Sequence, residues 1–264
     1  MDNTWAAAIM GLGLLVFSPA GCAHTGAPAR HPTQASEPRP PAAPEGEAIS
    51  HGPRNLKLVA LTFDACSTHA HGKFDARVIQ TLVDMRVPAT LFLGGKWMRD
   101  QPAAVRRVAG LPQFELGVHA DLHPHLTRVS DTRVREELER AQHTLKTLTG
   151  RHAALFRPPF GEYNRDTIRL AADLGLTTVE YDLPSGDPDP NIGARRLADY
   201  VARSARNGSI IVMHMNGRGW HTAQALPEIV TRLRERGFTL VTVGQLAALN
   251  RAQARAATPA PPRP

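Results

Sequence analysis

Only two cysteines, Cys22 and Cys66, occur in 264 residues. That excludes a disulfide-stapled scaffold, and no structural disulfide is expected. Aromatic residues are also scarce, at 5%. No Lys/Arg-rich run is interleaved with them, so the formal net charge of +7 reads as a solvated basic surface suited to a polyanionic wall or membrane; nucleic acid is not an expected partner. Internal repeats are missing beyond a βα alternation. With 42% hydrophobic and 21% charged residues, the chain is long enough for one sizeable globular domain and too short for two large ones. A monomer is expected.

The longest apolar stretch, Trp5 to Phe17, is too short to span a bilayer comfortably and is followed by small residues, so residues 1–25 read as an export signal. Cys22, after Pro19-Ala20-Gly21, resembles a bacterial lipoprotein cleavage site and would tether the protein to the membrane if acylated. Pro19 in place of the usual Leu, and a head without Lys or Arg, leave ordinary cleavage near Ala23 as the alternative. The expected location is the periplasm, free or membrane-attached. Residues 26–54, with Pro28, Pro32, Pro38, Pro40, Pro41 and Pro44, have few bulky apolar side chains to offset the entropy of ordering and read as an extended linker. The folded domain is expected over 55–250, and 251–264 as a disordered tail.

Within that domain, short apolar runs alternate with helical patterns, which argues for βα units and a parallel sheet. Strands are expected near 57–63, 89–93, 114–118, 154–157, 177–181, 209–213 and 238–242. Helical periodicity is clearest in Asp131 to Leu148, Asp166 to Leu174 and Ala223 to Arg236, with Gly150, Gly175 and Gly237 placed as C-caps. The fold class is thus α/β, a closed or nearly closed sheet of about seven parallel strands.

Three of the apolar runs end on residues capable of chemistry. Leu58 to Phe63 delivers Asp64. Ala153 to Phe156 delivers Arg157 and the turn Pro158-Pro159-Phe160-Gly161, and Ser209 to Met213 delivers His214. An α/β enzyme presents its site at such strand ends. Between the first and second lie His119 and His123, two imidazoles four residues apart that can grip one divalent cation from a helical turn or tight loop.

The ordered set Thr62-Phe63-Asp64, His119-x-x-x-His123-Pro124-x-Leu126, Arg157-Pro158-Pro159-Phe160-Gly161 and Ile211-Val212-Met213-His214 resembles the NodB-homology polysaccharide deacetylases, carbohydrate esterase family 4, over roughly residues 55 to 248. The resemblance implies a distorted (β/α) barrel and a divalent metal, zinc foremost with cobalt, nickel or manganese as alternatives, held by His119 and His123. It implies that Asp64 is the general base and His214 the general acid. Arg157 would hold Asp64 ionised and oriented, Pro158 and Pro159 would shape the substrate side of the cleft, and the amide of Phe160 would face the developing oxyanion.

Two motifs depart from the family pattern. Where a second aspartate usually ligates the metal stands Ala65, so the resemblance carries over two protein ligands rather than three. Water or Asp64 itself is the expected substitute, with His69 or His71 as further candidates. Cys66 stays open between a buried thiol at a strand end, a metal-proximal ligand and a redox-sensing group. The second departure is Tyr181-Asp182-Leu183-Pro184-Ser185-Gly186-Asp187, in which Asp187, with Asp182 behind it, is the expected carboxylate partner of His214. Trp220 is a candidate for stacking on a sugar face, or a loop residue packing on the barrel. His125 is left out of the metal set, and Asp121 is a candidate cap of the histidine turn.

Together these features imply an exported, metal-dependent hydrolase that removes N-acetyl groups from an amino-sugar polymer such as peptidoglycan. The alternatives are an O-acetyl esterase or other amide hydrolase of the same fold, and a catalytically weak carbohydrate-binding protein.

Overall fold

A computed structural model describes residues 47–67 and 72–257. The expected signal segment, Cys22, most of the Pro-rich linker, and His69 and His71 lie outside these residues. Eight strands form one sheet: β1 (Leu58–Ala65), β2 (Ala89–Leu93), β3 (Phe114–Val118), β4 (Leu155–Phe156), β5 (Thr177–Thr178), β6 (Leu183–Pro184), β7 (Ser209–His214) and β8 (Thr239–Val241). Their order is β5-β4-β3-β2-β1-β7-β6, with β8 also on β1, and every ladder is parallel. All seven expected strands are present. The two-residue β6 was not expected, because Leu183-Pro184 carries no apolar run and is a strand only through its pairing with Ile211 and Val212. This is a curled (β/α) sheet of the barrel kind.

β1 shows how the sequence sorts its faces. Val59, Leu61, Phe63 and Ala65 join the large apolar cluster shared with Val78, Ile79 and Leu82 of helix α1 (Ala76–Asp84), while Ala60 joins a second cluster with Phe92, Leu155, Val179 and Ile210. The period-two alternation therefore places Thr62 and Asp64 on the Ala60 side, inside the curl of the sheet. Phe63 is fully buried, and that burial contributes roughly 1.5–3 kcal/mol.

The connecting segments hold α2 (Gly95–Asp100), α3 (Pro102–Ala109), α4 (Asp131–Thr149), α5 (Arg165–Asp173), α6 (Ala194–Ser204), α7 (Thr222–Glu235) and α8 (Val243–Ala257). The Ser130 side chain caps α4 by accepting from the Arg133 amide, and Gly150 ends it at φ 74°, a left-handed conformation glycine adopts without strain. Among the described residues no helix is long and apolar enough to cross a membrane.

Among the described residues, pairing and helix also occur outside 55–250. Ile49 bridges Val179, and His51 bridges Ser209 of β7. α8 runs on through Arg251 to Ala257, and Asn250 and Gln253 donate to the His51 carbonyl and to Asn55. Backbone pairing and amide side chains do this ordering, which a reading of apolar pattern does not register.

Candidate active site

The register of β1 against β7 sets Asp64 directly beside His214, both at the carboxyl ends of their strands. Asp64 is buried, and its Oδ1 accepts from Arg157 Nη1 at 2.9 Å. Burial opposes the charge on Asp64, yet the guanidinium of Arg157, with His119 and His214, holds the carboxyl below its usual range. Asp64 is therefore ionised at neutral pH.

Arg157 is fully buried after β4, and its surroundings fix it. Nη1 also donates to Thr62 Oγ1 at 2.7 Å, Nη2 donates to the Glu180 carbonyl at 3.3 Å, and the guanidinium lies 4.2 Å from the centre of the Phe92 ring. Such a fork held by neutral oxygens and an aromatic face orients one carboxylate without neutralising it elsewhere.

His119 follows β3. Its Nδ1 lies 2.8 Å from the Arg157 carbonyl; because a carbonyl only accepts, Nδ1 donates and Nε2 keeps its lone pair, 3.8 Å from Asp64 Oδ2. His123 stands in a loop, with its ring centre 4.9 Å from that of His119 and its buried Nδ1 unpartnered among the described residues. Burial and the neighbouring His119 push the His123 pKa down to about 3, and burial lowers that of His119 as well. Two neutral imidazoles with unshared lone pairs suit a divalent cation. Cys66 joins them: His119, His123 and Cys66 each offer a ligand atom, all within 4.8 Å of one another. Burial, then the Asp64 charge, pushes the Cys66 thiol up to about 11.

The histidine loop is shaped from below by a residue the sequence analysis did not single out. Glu137 of α4, fully buried, accepts the backbone N–H groups of Asp121 and Leu122 at 2.8 and 2.6 Å and pairs with Arg133. Asp121 does not cap the turn with its side chain. Instead its carboxylate takes both Nη groups of Arg99 at 2.6 and 3.2 Å. Ala120 and His123 have φ of 57° and 60°, and Phe160 has 61°, so three non-glycine residues around the site sit in the left-handed region.

On the opposite wall, His214 Nδ1 lies 2.8 Å from Asp187 Oδ1, while Asp187 Oδ2 accepts the His214 amide at 2.7 Å and Thr222 Oγ1 at 2.6 Å. Burial disfavours the imidazolium, but the hydrogen bond to Asp187, its charge and that of Asp64 outweigh burial and raise the His214 pKa. Asp182 lies elsewhere, accepting from Arg54, Ser209 and the Ile210 amide. A Cβ at Gly219 would come 2.5 Å from the His214 carbonyl and 2.7 Å from Asp187 Oδ2, so only glycine fits there.

Asp64, Cys66, His119, His123, Asp187 and His214 line a cleft of about 210 Å³ that also includes Pro158, Phe160, Tyr181, Ser185 and Arg218. Pro159 is buried behind it. Trp220 is 57% exposed in the following loop and is not among the cleft's lining residues. From the same loop Arg218 lines the cleft. His125 stacks on Phe160 at 4.0 Å and bonds Glu162 at 2.8 Å. Glu180, also missed in the sequence, is a buried carboxyl raised to about 7, by burial first and the Asp64 charge besides, against the pull of Arg157.

The fold and site together define a (β/α) protein with a paired carboxylate and imidazole beside a donor cluster able to hold a metal ion. Residues 51–179 match the family model described as polysaccharide deacetylase. It is similar to the peptidoglycan-N-acetylmuramic acid deacetylase PdaA of Bacillus subtilis, 27% identical over 203 residues, covering 76% of this chain and 75% of that protein. The structure of B. subtilis PdaA, a family 4 carbohydrate esterase, superposes with a TM-score of 0.67 at 26% identity, covering 75% of this chain and 84% of that one. It is also similar to the uncharacterized YlxY of B. subtilis, 27% identical over 173 residues; the match covers 64% of this chain and 52% of YlxY.

Proposed function

We propose that the protein is a metal-dependent hydrolase that removes N-acetyl groups from an amino-sugar polymer, with peptidoglycan as the substrate class. The observation that carries this reading is the placement of an ionised Asp64 beside His214, whose pKa is raised, with the free Nε2 of His119 facing the carboxylate. The name of PdaA supports the polymer. The apolar head and Pro-rich linker of the sequence support an exported protein, and Cys22 a membrane tether.

His119 and His123 would hold a divalent cation, zinc first, which supplies Lewis-acid activation of a water and of the acetyl oxygen. Asp64 takes the proton of the attacking water, and Arg157 keeps its carboxylate aimed while it does so. The backbone amide of Phe160 faces the oxygen of the acyl group as charge gathers on it, in a turn stiffened by Pro158 and Pro159. His214 then gives its proton to the departing nitrogen; the C–N bond breaks, leaving acetate and a free amine. Asp187, on the imidazole Nδ1, favours its charged form until that moment.

The test is acetate release from purified peptidoglycan and from N-acetylglucosamine oligomers, with and without a chelator and with zinc added back. Release that chelation abolishes and zinc restores is the expected result. A protein that binds these polymers and releases no acetate under any metal would overturn the reading.

A further inference from the structure

We propose that Cys66 Sγ is a third protein donor beside His119 and His123, giving the metal a set of two imidazoles and one thiolate. This rests on the metal-dependent reading above and goes beyond it by naming what stands in for the carboxylate absent at Ala65.

Ala65 is fully buried in the cluster between the sheet and its helices, so that position faces away from the cleft. Cys66, two residues beyond Asp64, emerges on the cleft side and lines it. Its sulfur lies within 4.8 Å of the ligand atoms of both histidines. A thiol that merely packed would sit among apolar neighbours. This one instead faces two imidazoles, one of them with a buried and unpartnered Nδ1. From the other side Asn216 Nδ2 reaches the Cys66 carbonyl at 2.7 Å and its Sγ at 3.3 Å. An N–H aimed at sulfur is the outer support a metal-bound thiolate uses.

The arrangement also separates two duties. Asp64 Oδ1 is occupied by Arg157, so with sulfur on the metal the carboxylate is left to accept protons. Coordination is balanced without an oxidant: the Sγ–H bond breaks, its proton passes to solvent, and the sulfur lone pair forms the bond to the cation. Three protein donors leave a fourth position open, as catalytic zinc sites require. A thiolate favours zinc and cobalt over the harder manganese.

The experiment loads the purified full chain with Co²⁺ and records its absorption, then measures Zn²⁺ affinity by chelator competition for the parent, Cys66→Ser and Cys66→Ala. The expected result is a sulfur-to-cobalt charge-transfer band in the parent, lost in both variants, with zinc affinity lower by more than the roughly 10- to 100-fold that loss of an outer-shell partner costs. The parent spectrum needs no variant, so a folding defect in Cys66→Ala leaves the test intact. Tight zinc binding without that band, unchanged in Cys66→Ser, would overturn the thiolate while leaving the two-histidine reading in place. A parent that binds neither metal would overturn both.

Discussion

Asp187 holds His214 at two points, accepting its ring Nδ1–H at 2.8 Å and its backbone N–H at 2.7 Å, so the carboxylate fixes both the direction of the imidazole and its charge. Burial alone would leave the ring neutral. The raised pKa means the proton is held to higher pH than on a free imidazole and is lost as pH climbs through the folded value, above the ordinary 6.5.

The pH–rate profile is therefore expected to fall on its alkaline side as His214 deprotonates. In Asp187→Asn that falling limb moves to lower pH, because desolvation is then opposed only by the Asp64 charge. His214→Ala should cost roughly 10²- to 10⁴-fold in kcat, the usual contribution of one positioned acid. A limb that stays in place in Asp187→Asn would remove the carboxylate from this role.

Glu180 gives a stability signature of opposite character to an ordinary surface carboxylate. Its folded pKa lies near 7 against 4.5 for the free group, so the folded state binds the proton more tightly. The sign follows: its contribution is fully present below pH 4.5 and is lost as pH rises toward about 7. Glu180→Gln is expected to flatten that part of the stability curve and to raise stability at neutral pH, by at most about 3 kcal/mol. Chemical denaturation of parent and variant at several pH values measures it.

Removing Glu137 should loosen the histidine loop. Two backbone N–H groups, of Asp121 and Leu122, lose their acceptor in Glu137→Ala, and each buried donor left alone costs about 1–3 kcal/mol. A fall in Tm accompanied by weaker metal binding is expected. A fall in Tm with metal affinity untouched would mean that Glu137 supports only the helix.

Gly219→Ala is expected to lower activity more than stability. The added methyl meets the His214 carbonyl and Asp187 Oδ2, so it displaces the pair that sets the acid. Activity assays against thermal melts of the same variant distinguish local displacement from unfolding.

The strand-end residues were legible because each follows an apolar run whose period fixes where it emerges: Asp64, Arg157 and His214 need nothing more. Asp187 could be named because a histidine acid needs a carboxylate and few lie in that segment. Glu137 and Glu180 left no such trace. They act through contacts made by residues distant in sequence, and a glutamate in a charged helix such as Glu137 looks like any solvated one. Trp220 stayed open between two readings because an aromatic beside a site invites stacking, and only the loop's path decides whether the ring reaches the cleft. β6 and the bridges at Ile49 and His51 were invisible because backbone pairing creates them.

Ala120, His123 and Phe160 are each bent into a backbone shape that side-chain-bearing residues avoid, at a cost on the order of 1–3 kcal/mol apiece. The molecule thus keeps a standing tension around its cleft. Glycine at Ala120 would relieve it there and slacken the histidine loop, so durability and activity are set against each other at that position.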